Sequence, residues 1–228
     1  MALRSLLLIS AYLLGSIPFG YLLIKFIFTE GEDIRDVGSG GIGATNVTRR
    51  AGRGAGVVTY LLDVAKGAAA VLLMKTAAND DYLWIGLAAI AVVIGHIAPI
   101  FLGFLGGKGV AAGVGVFLAL APYSVLSTLV LWILVVYLSR YVSLASILAA
   151  AAVPLWILVY YGLLFPNPHV TALVITAVIV CGLIVTKHLD NIRRLISGTE
   201  NKIGKRVGPA GDGRGAIGGT ATSRGSGR

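Results

Sequence analysis

Carboxylates, cysteine and long polar stretches are scarce in this 228-residue sequence. Asp and Glu number 10 against 19 Lys and Arg, giving a formal net charge of +9, and charged residues are only 13% of the chain. Soluble domains carry about 25%. With a hydrophobic fraction of 57% and a mean hydropathy of +0.87, that scarcity excludes an ordinary soluble fold. The single cysteine, Cys181, lies within an apolar run. Disulfides and cysteine-based metal sites are thereby excluded, leaving a small core hydrophobe. No polar interval of domain size interrupts the apolar runs between Leu6 and Lys187. No small-residue cleavage site and mature soluble domain follow the first run, so it reads as a span and not as a signal peptide.

A transmembrane helix needs about 20 apolar residues, and such runs cover 3–27, 56–77, 82–103, 142–162 and 168–187. The stretch 110–138 is too long for one untilted helix and contains Pro122, which disfavours unbroken helix, so two short helices are expected there. Basic residues set the orientation. Arg35, Arg49, Arg50 and Arg53 place the first loop in the cytoplasm and the N-terminus outside. Asn79–Asp81 then falls outside, Lys108 and Arg140 inside, and the cation-free Phe165–Pro168 loop outside. Lys187, Arg193, Arg194 and Lys202 are inside only for an odd number of spans. Seven spans satisfy every loop, six leave that last group outside, and five is the alternative if pieces merge. The expected fold is an all-α integral membrane protein of about seven transmembrane helices, some short or broken, with a cytoplasmic C-terminus. Residues 1–207 form the membrane domain, and 208–228, rich in Gly, Ser, Thr and Arg, read as a disordered tail or expression remnant.

Topology explains much of the positive charge, but not its clustering beside glycine-rich turns. In the first loop Gly38, Gly40, Gly41 and Gly43 free the backbone to present N–H groups to an anion, and the helix to follow aims its positive end there. Ser39, Thr45 and Asn46 add hydrogen-bond donors, and Arg49 a bidentate fork for phosphate. A flexible connection is the plainer reading of such a loop. In the second segment Lys108, between Gly107 and Gly109, can approach a phosphate as a mobile point charge, or serve only as a topology anchor. It lacks nucleotide-loop spacing. His96, deeper in its helix, reads as a core histidine or a functional one. In the third segment His188, Asn191 and Arg194 recur at i, i+3 and i+6, forming one polar stripe on a helix that continues the last span and stops at Gly198. A basic helix lying on anionic lipid is the alternative.

Asp63 and Lys66, one turn apart near the inner end of the second span, are expected to pair, because ionisable groups are expensive there. Gly15-Ser16-Ile17-Pro18 marks a kink or close helix contact. Ser143 and Ser146 follow Arg140 at the inner face, where Ser143 reads most simply as a helix cap. Three segments far apart in sequence thus carry Gly plus Lys, Arg or His toward one membrane face. Phosphate-bearing substrates are the economical inference. Metal-dependent phosphotransfer is disfavoured by the shortage of carboxylates, and no zinc pattern, nucleophile elbow or dinucleotide fingerprint is present.

These residues resemble the bacterial membrane glycerol-3-phosphate acyltransferases that use acyl phosphate as donor, the PlsY family. The resemblance covers residues 10–203 through Gly15-Ser16-Ile17-Pro18, Gly38-Ser39-Gly40, Gly43-Ala44-Thr45-Asn46-Val47, Asp63…Lys66-Gly67, Gly95-His96…Pro99, Gly106-Gly107-Lys108-Gly109-Val110, Ser143-Leu144-Ala145-Ser146 and His188…Asn191…Arg194…Gly198…Glu200. Gly41, where the family usually has Asn, and Ala98, where an aromatic is common, depart from it. Gly41 leaves open which side chain makes that amide contact.

The resemblance implies acyl transfer from acyl phosphate to the sn-1 hydroxyl of glycerol 3-phosphate, giving lysophosphatidic acid and inorganic phosphate for phospholipid biosynthesis. It implies catalytic roles for Ser39, Arg49, Lys108, His188 and Asn191. Substrate contacts are expected from Gly38, Gly40, Gly43, Thr45, Asn46, Asp63, Lys66, His96, Gly107, Gly109, Ser143, Ser146, Arg194 and Glu200. Neither cofactor nor metal is expected. Membrane lipids are the surroundings, nucleic acid is not a partner, and a monomer in the bacterial plasma (inner) membrane with a cytoplasm-facing site is implied. The His-x4-Asp pattern of other glycerolipid acyltransferases is absent at His96 and His188. A transporter of phosphorylated solutes would also use cationic loops and broken helices, but with a site near the bilayer midplane. A lipid-interaction scaffold is the third class.

Overall fold

A computed structural model describes residues 1–203, and every regular element among them is a helix, with no strand. The tail assigned from residue 208 onward lies outside the described residues. In hydrocarbon every backbone N–H and C=O must be satisfied within the chain, so apolar runs become helices. The helices are α1 (Ala2–Ser16), α2 (Phe19–Leu23), α3 (Ala44–Ala78), α4 (Tyr82–Ile97), α5 (Val110–Leu120), α6 (Pro122–Ser139), α7 (Val142–Ile157), α8 (Val170–Thr186) and α9 (Leu189–Ile196).

Four helical stretches cross a membrane by length and composition, and two bent pairs, α1 with α2 and α8 with α9, extend the count to six. The remaining leg, α5, has 11 residues and reaches only about 16 Å at 1.5 Å per residue. By length and composition the described residues thus hold four to six spans beside the short α5, where about seven spans were expected. The division at Pro122 is as expected: Pro122 opens α6, where its missing N–H costs nothing.

Several boundaries differ from the sequence expectation. The glycine loop ends at Gly43, earlier than expected, and residues 44–51 are already helical. At Gly52, with φ 88° and ψ 175°, α3 breaks sharply, so 44–51 folds back and Thr48 lies against Gly56. The span from 56 to 77 survives as the second part. α4 stops at Ile97, not 103, because the residue preceding Pro99 is pushed out of the helical region. The third polar segment follows the last span only through a bend: α9 is turned 56° from α8. Gly198, with φ 69°, follows its end, as expected of a helix stop.

Glycine allows two close helix crossings. Gly15 on α1 abuts the Val92 carbonyl of α4, while Gly95 on α4 abuts the Tyr12 carbonyl of α1. Gly67 on α3 and Gly115 on α5 likewise take the carbonyls of Ala112 and Val64. Bilayer lipid supplies no hydrophobic drive between helices, so such backbone contact holds them together. Gly15-Ser16-Ile17-Pro18 is thus both the close contact and the break, with α1 and α2 bent by 41°.

Candidate active site

The loops alternate between two ends of the bundle. At one end Arg4 pairs with Asp81 at 3.0 Å, and Tyr82 stacks on His169 with ring centroids 4.1 Å apart. At the other end all three glycine-and-cation segments meet. Leu102, from the α4–α5 loop, packs against the small cluster that joins Ile34 and Ile42 of the first loop to Val47 of α3. Lys108, at the start of α5, reaches α9.

The first loop is held from inside by one side chain. Asn46 Oδ1 accepts the Ser39 N–H at 3.2 Å, and its amide nitrogen donates to the carbonyls of Ile34, Val37 and Gly41 at 3.1, 2.9 and 2.9 Å. Both ends of the buried Asn46 amide, expected as a substrate donor, are thus used by the loop. The loop needs glycine at Gly38 and Gly40, whose φ values are 63° and 67°, and a Cβ at Gly38 would strike Asn46 Oδ1. Gly43 instead adopts an extended conformation as the N-cap of α3. Ser39 and Thr45 are exposed. Arg49 is exposed on the 44–51 helix and donates to no side chain among the described residues.

The second half of the site is a hydrogen-bonded network. Lys108 Nζ donates to Asn191 Oδ1 at 2.6 Å, and Asn191 Nδ2 donates to Glu200 Oε1 at 2.8 Å. Ser143 Oγ donates to the same oxygen at 2.8 Å, and Arg194 Nε donates to Glu200 Oε2 at 2.7 Å. These contacts correct the cap reading of Ser143 and place Glu200. Ser143 caps no helix, because its hydroxyl is spent on Glu200. Glu200, expected at the substrate, is the internal counter-ion of the cluster; it is brought back by the chain after α9, whose Ile203 N–H bonds to the Arg140 carbonyl at 2.9 Å. Burial opposes its charge, but hydrogen bonds from Asn191, Arg194 and Ser143 overcome this and hold its pKa below the usual 4.5.

Burial pushes the Lys108 ammonium down to about 8; Glu200 opposes the shift, while the charges of Arg194 and Arg49 add to it. Arg49 is therefore close enough to act on Lys108 across the two halves. An ammonium has three donors, and one is used on Asn191. His188 is buried just beyond α8, and its Nδ1 lies 2.8 Å from the Ile184 carbonyl. A carbonyl only accepts, so Nδ1 carries the proton and Nε2 the lone pair of the neutral ring. Burial lowers the imidazole pKa below 6.5, with the Ile184 bond opposing and the Lys108 charge adding to the fall.

The remaining expected contacts are elsewhere. Asp63, Lys66 and His96 are buried in the bundle and face one another. The structure does not bring them into the Lys108 network. Ser146 is buried under α6, where its hydroxyl accepts from Trp132 Nε1 at 3.2 Å. Gly109, with φ 85°, turns the chain into α5, and Gly107 lies against His96. Two contributors were missed in the sequence. Gly20 lets the Ile42 carbonyl of the glycine loop rest on α2, and Tyr12 Oη donates to the Ala98 carbonyl at 3.0 Å. A lone glycine two residues after Pro18 was the only available signal for Gly20.

The arrangement can bind anionic esters in two adjoining cationic half-sites, one of loop amides with Ser39 and Arg49, the other of Lys108, Asn191 and Arg194, with a neutral histidine beside the latter. The family model for glycerol-3-phosphate acyltransferases matches residues 5–198. A glycerol-3-phosphate acyltransferase of Desulforamulus reducens is 47% identical over 201 residues, covering 88% of this chain and 96% of the relative. One from Trichlorobacter lovleyi is 47% identical over 194 residues, covering 84% and 93%. The crystal structure of PlsY (YgiH), an integral membrane glycerol 3-phosphate acyltransferase, in its glycerol 3-phosphate form is similar with a TM-score of 0.79 and 38% identity. The similarity covers 88% of this chain and 96% of that one. The lysophosphatidic acid form of the same protein gives 0.78 and 37%.

Proposed function

The chain belongs to the membrane-embedded glycerol-3-phosphate acyltransferase family, and from that premise we propose that acyl phosphate is its donor and the sn-1 hydroxyl of glycerol 3-phosphate its acceptor. The products are lysophosphatidic acid and inorganic phosphate, made at the cytoplasmic face of the bacterial plasma membrane by a monomer that needs no cofactor. The observation that carries this reading is the meeting of three cationic, glycine-bearing segments at one end of an apolar bundle. Both substrates carry phosphate, so the site must hold several negative charges close together, and the acyl tail can stay among the helices.

An acyl phosphate is an activated mixed anhydride, and orientation with stabilisation of the leaving phosphate lowers most of its barrier. The loop amides, Ser39 and Arg49 hold one phosphate, and Lys108 with Arg194 the other. His188 and Asn191 position glycerol 3-phosphate. The acceptor hydroxyl oxygen attacks the acyl carbonyl carbon, the new C–O ester bond forms, and the carbonyl–phosphate C–O bond breaks with its electron pair leaving on phosphate. The hydroxyl proton passes to His188 Nε2 or to the acceptor's own phosphate.

The test is purified protein in detergent micelles supplied with acyl phosphate and glycerol 3-phosphate. Phosphate release with formation of lysophosphatidic acid is expected, and Lys108→Ala lowers kcat by about 100-fold or more. Solute exchange seen only in sealed vesicles, without phosphate release in micelles, would overturn the reading in favour of a transporter.

A further inference from the structure

Asp63 and Lys66, on α3, and His96, near the end of α4, sit inside the bundle, apart from the network that holds Lys108. Ionisable groups in this setting are costly and call for a role. Lys66 Nζ lies 2.8 Å from Asp63 Oδ1 and donates at 2.8 Å to the Ile17 carbonyl, at the break between α1 and α2. The same Asp63 oxygen faces His96 Nδ1 at 3.5 Å. The opposite side of His96 forms a seat. Its carbonyl accepts the Gly107 N–H at 3.0 Å, a Cβ at Gly106 would overlap that carbonyl, and a Cβ at Gly107 would overlap the imidazole Nε2. Lys108 is the next residue.

Building on the reading of Lys108 as a phosphate-binding group, we propose that Asp63, Lys66 and His96 are positioning residues. Asp63, held by Lys66 and through it by the α1–α2 break, fixes the imidazole; the imidazole and its carbonyl seat the Gly106–Gly107 turn; the turn sets where the Lys108 ammonium stands. Simple neutralisation of two buried charges would account for Asp63 and Lys66 alone. It would not account for a histidine pressed between that carboxylate and two glycines that admit no side chain.

The test reads Lys108 directly. Its acetylation rate against pH, followed by mass spectrometry on the full chain in micelles, needs no turnover, and a wild-type midpoint at about 8 is expected. In Asp63→Asn, which keeps the side-chain shape, the midpoint moves toward the ordinary 10.5 as the turn loosens. Gly107→Ala approaches the same turn from the other side and shifts Lys108 as well, so it decides the matter if Asp63→Asn does not fold. KM for glycerol 3-phosphate rises several-fold in both variants, with a smaller change in kcat. An unmoved Lys108 midpoint in a folded variant overturns the proposal. A shifted midpoint in a protein without acyltransferase turnover upholds the positioning role and sinks the acyl-transfer reading; turnover with an unshifted midpoint does the reverse.

Discussion

At Lys108 burial favours the neutral amine while the chemistry needs the cation, and with a pKa of about 8 the cation still prevails at neutral pH. The alkaline limb of kcat/KM should therefore fall as pH rises through about 8. In Lys108→Arg, which does not deprotonate in this range, that limb should vanish even where overall activity is reduced. His188 gives the acid limb: burial holds its pKa below 6.5, so activity falls only as pH drops through that lower value and the base takes up a proton. His188→Ala should lose about 100-fold in kcat together with the acid limb. A profile of unchanged shape with only KM raised would assign the proton to the substrate phosphate instead. The residue types of this site were legible in the sequence, because Lys, Arg and His are conspicuous among apolar runs. Their partners were not. Nothing in the spacing of Asn46 or Glu200 says that each turns back onto its own chain, since those contacts depend on loop paths that open only when helices pack.

Among the elements, the glycine loop depends on two positive-φ glycines and one asparagine. Asn46→Ala strands buried carbonyls and should cost on the order of 2 kcal/mol or more, seen as a lowered thermal midpoint together with weaker phosphate binding. A midpoint equal to the wild type's would mean that water or a rearranged loop replaces the amide. At the α1–α4 crossing, Gly15→Leu forces a side chain into the Val92 carbonyl and should destabilise by about 1–3 kcal/mol. The spans themselves could be read from apolar length, and the Pro122 division from proline chemistry. The break at Gly52 could not. Gly52 and Gly54 flank Arg53 in a stretch that looks like loop, and only the packing of Val47 and Ala55 into one small cluster explains why 44–51 folds back as helix.

For the whole molecule, the loops fall at two opposite ends of the bundle. Arg4 lies at the end with Asp81, while Lys108, Arg140 and Arg194 lie at the other. The same alternation allows segments more than 80 residues apart to touch: Lys108 meets Asn191 with a separation of 83. One shared pocket for two anionic substrates requires that these segments occupy one side of the bilayer. In a Cys181→Ala background, single cysteines at Asp36, Leu105 and Ser197, with Asp80 as the opposite control, can be labelled by a membrane-impermeant maleimide in right-side-out and inverted vesicles. The first three should react only in inverted vesicles and Asp80 only in right-side-out ones. Reaction of any one of the three from the same side as Asp80 would contradict the shared pocket.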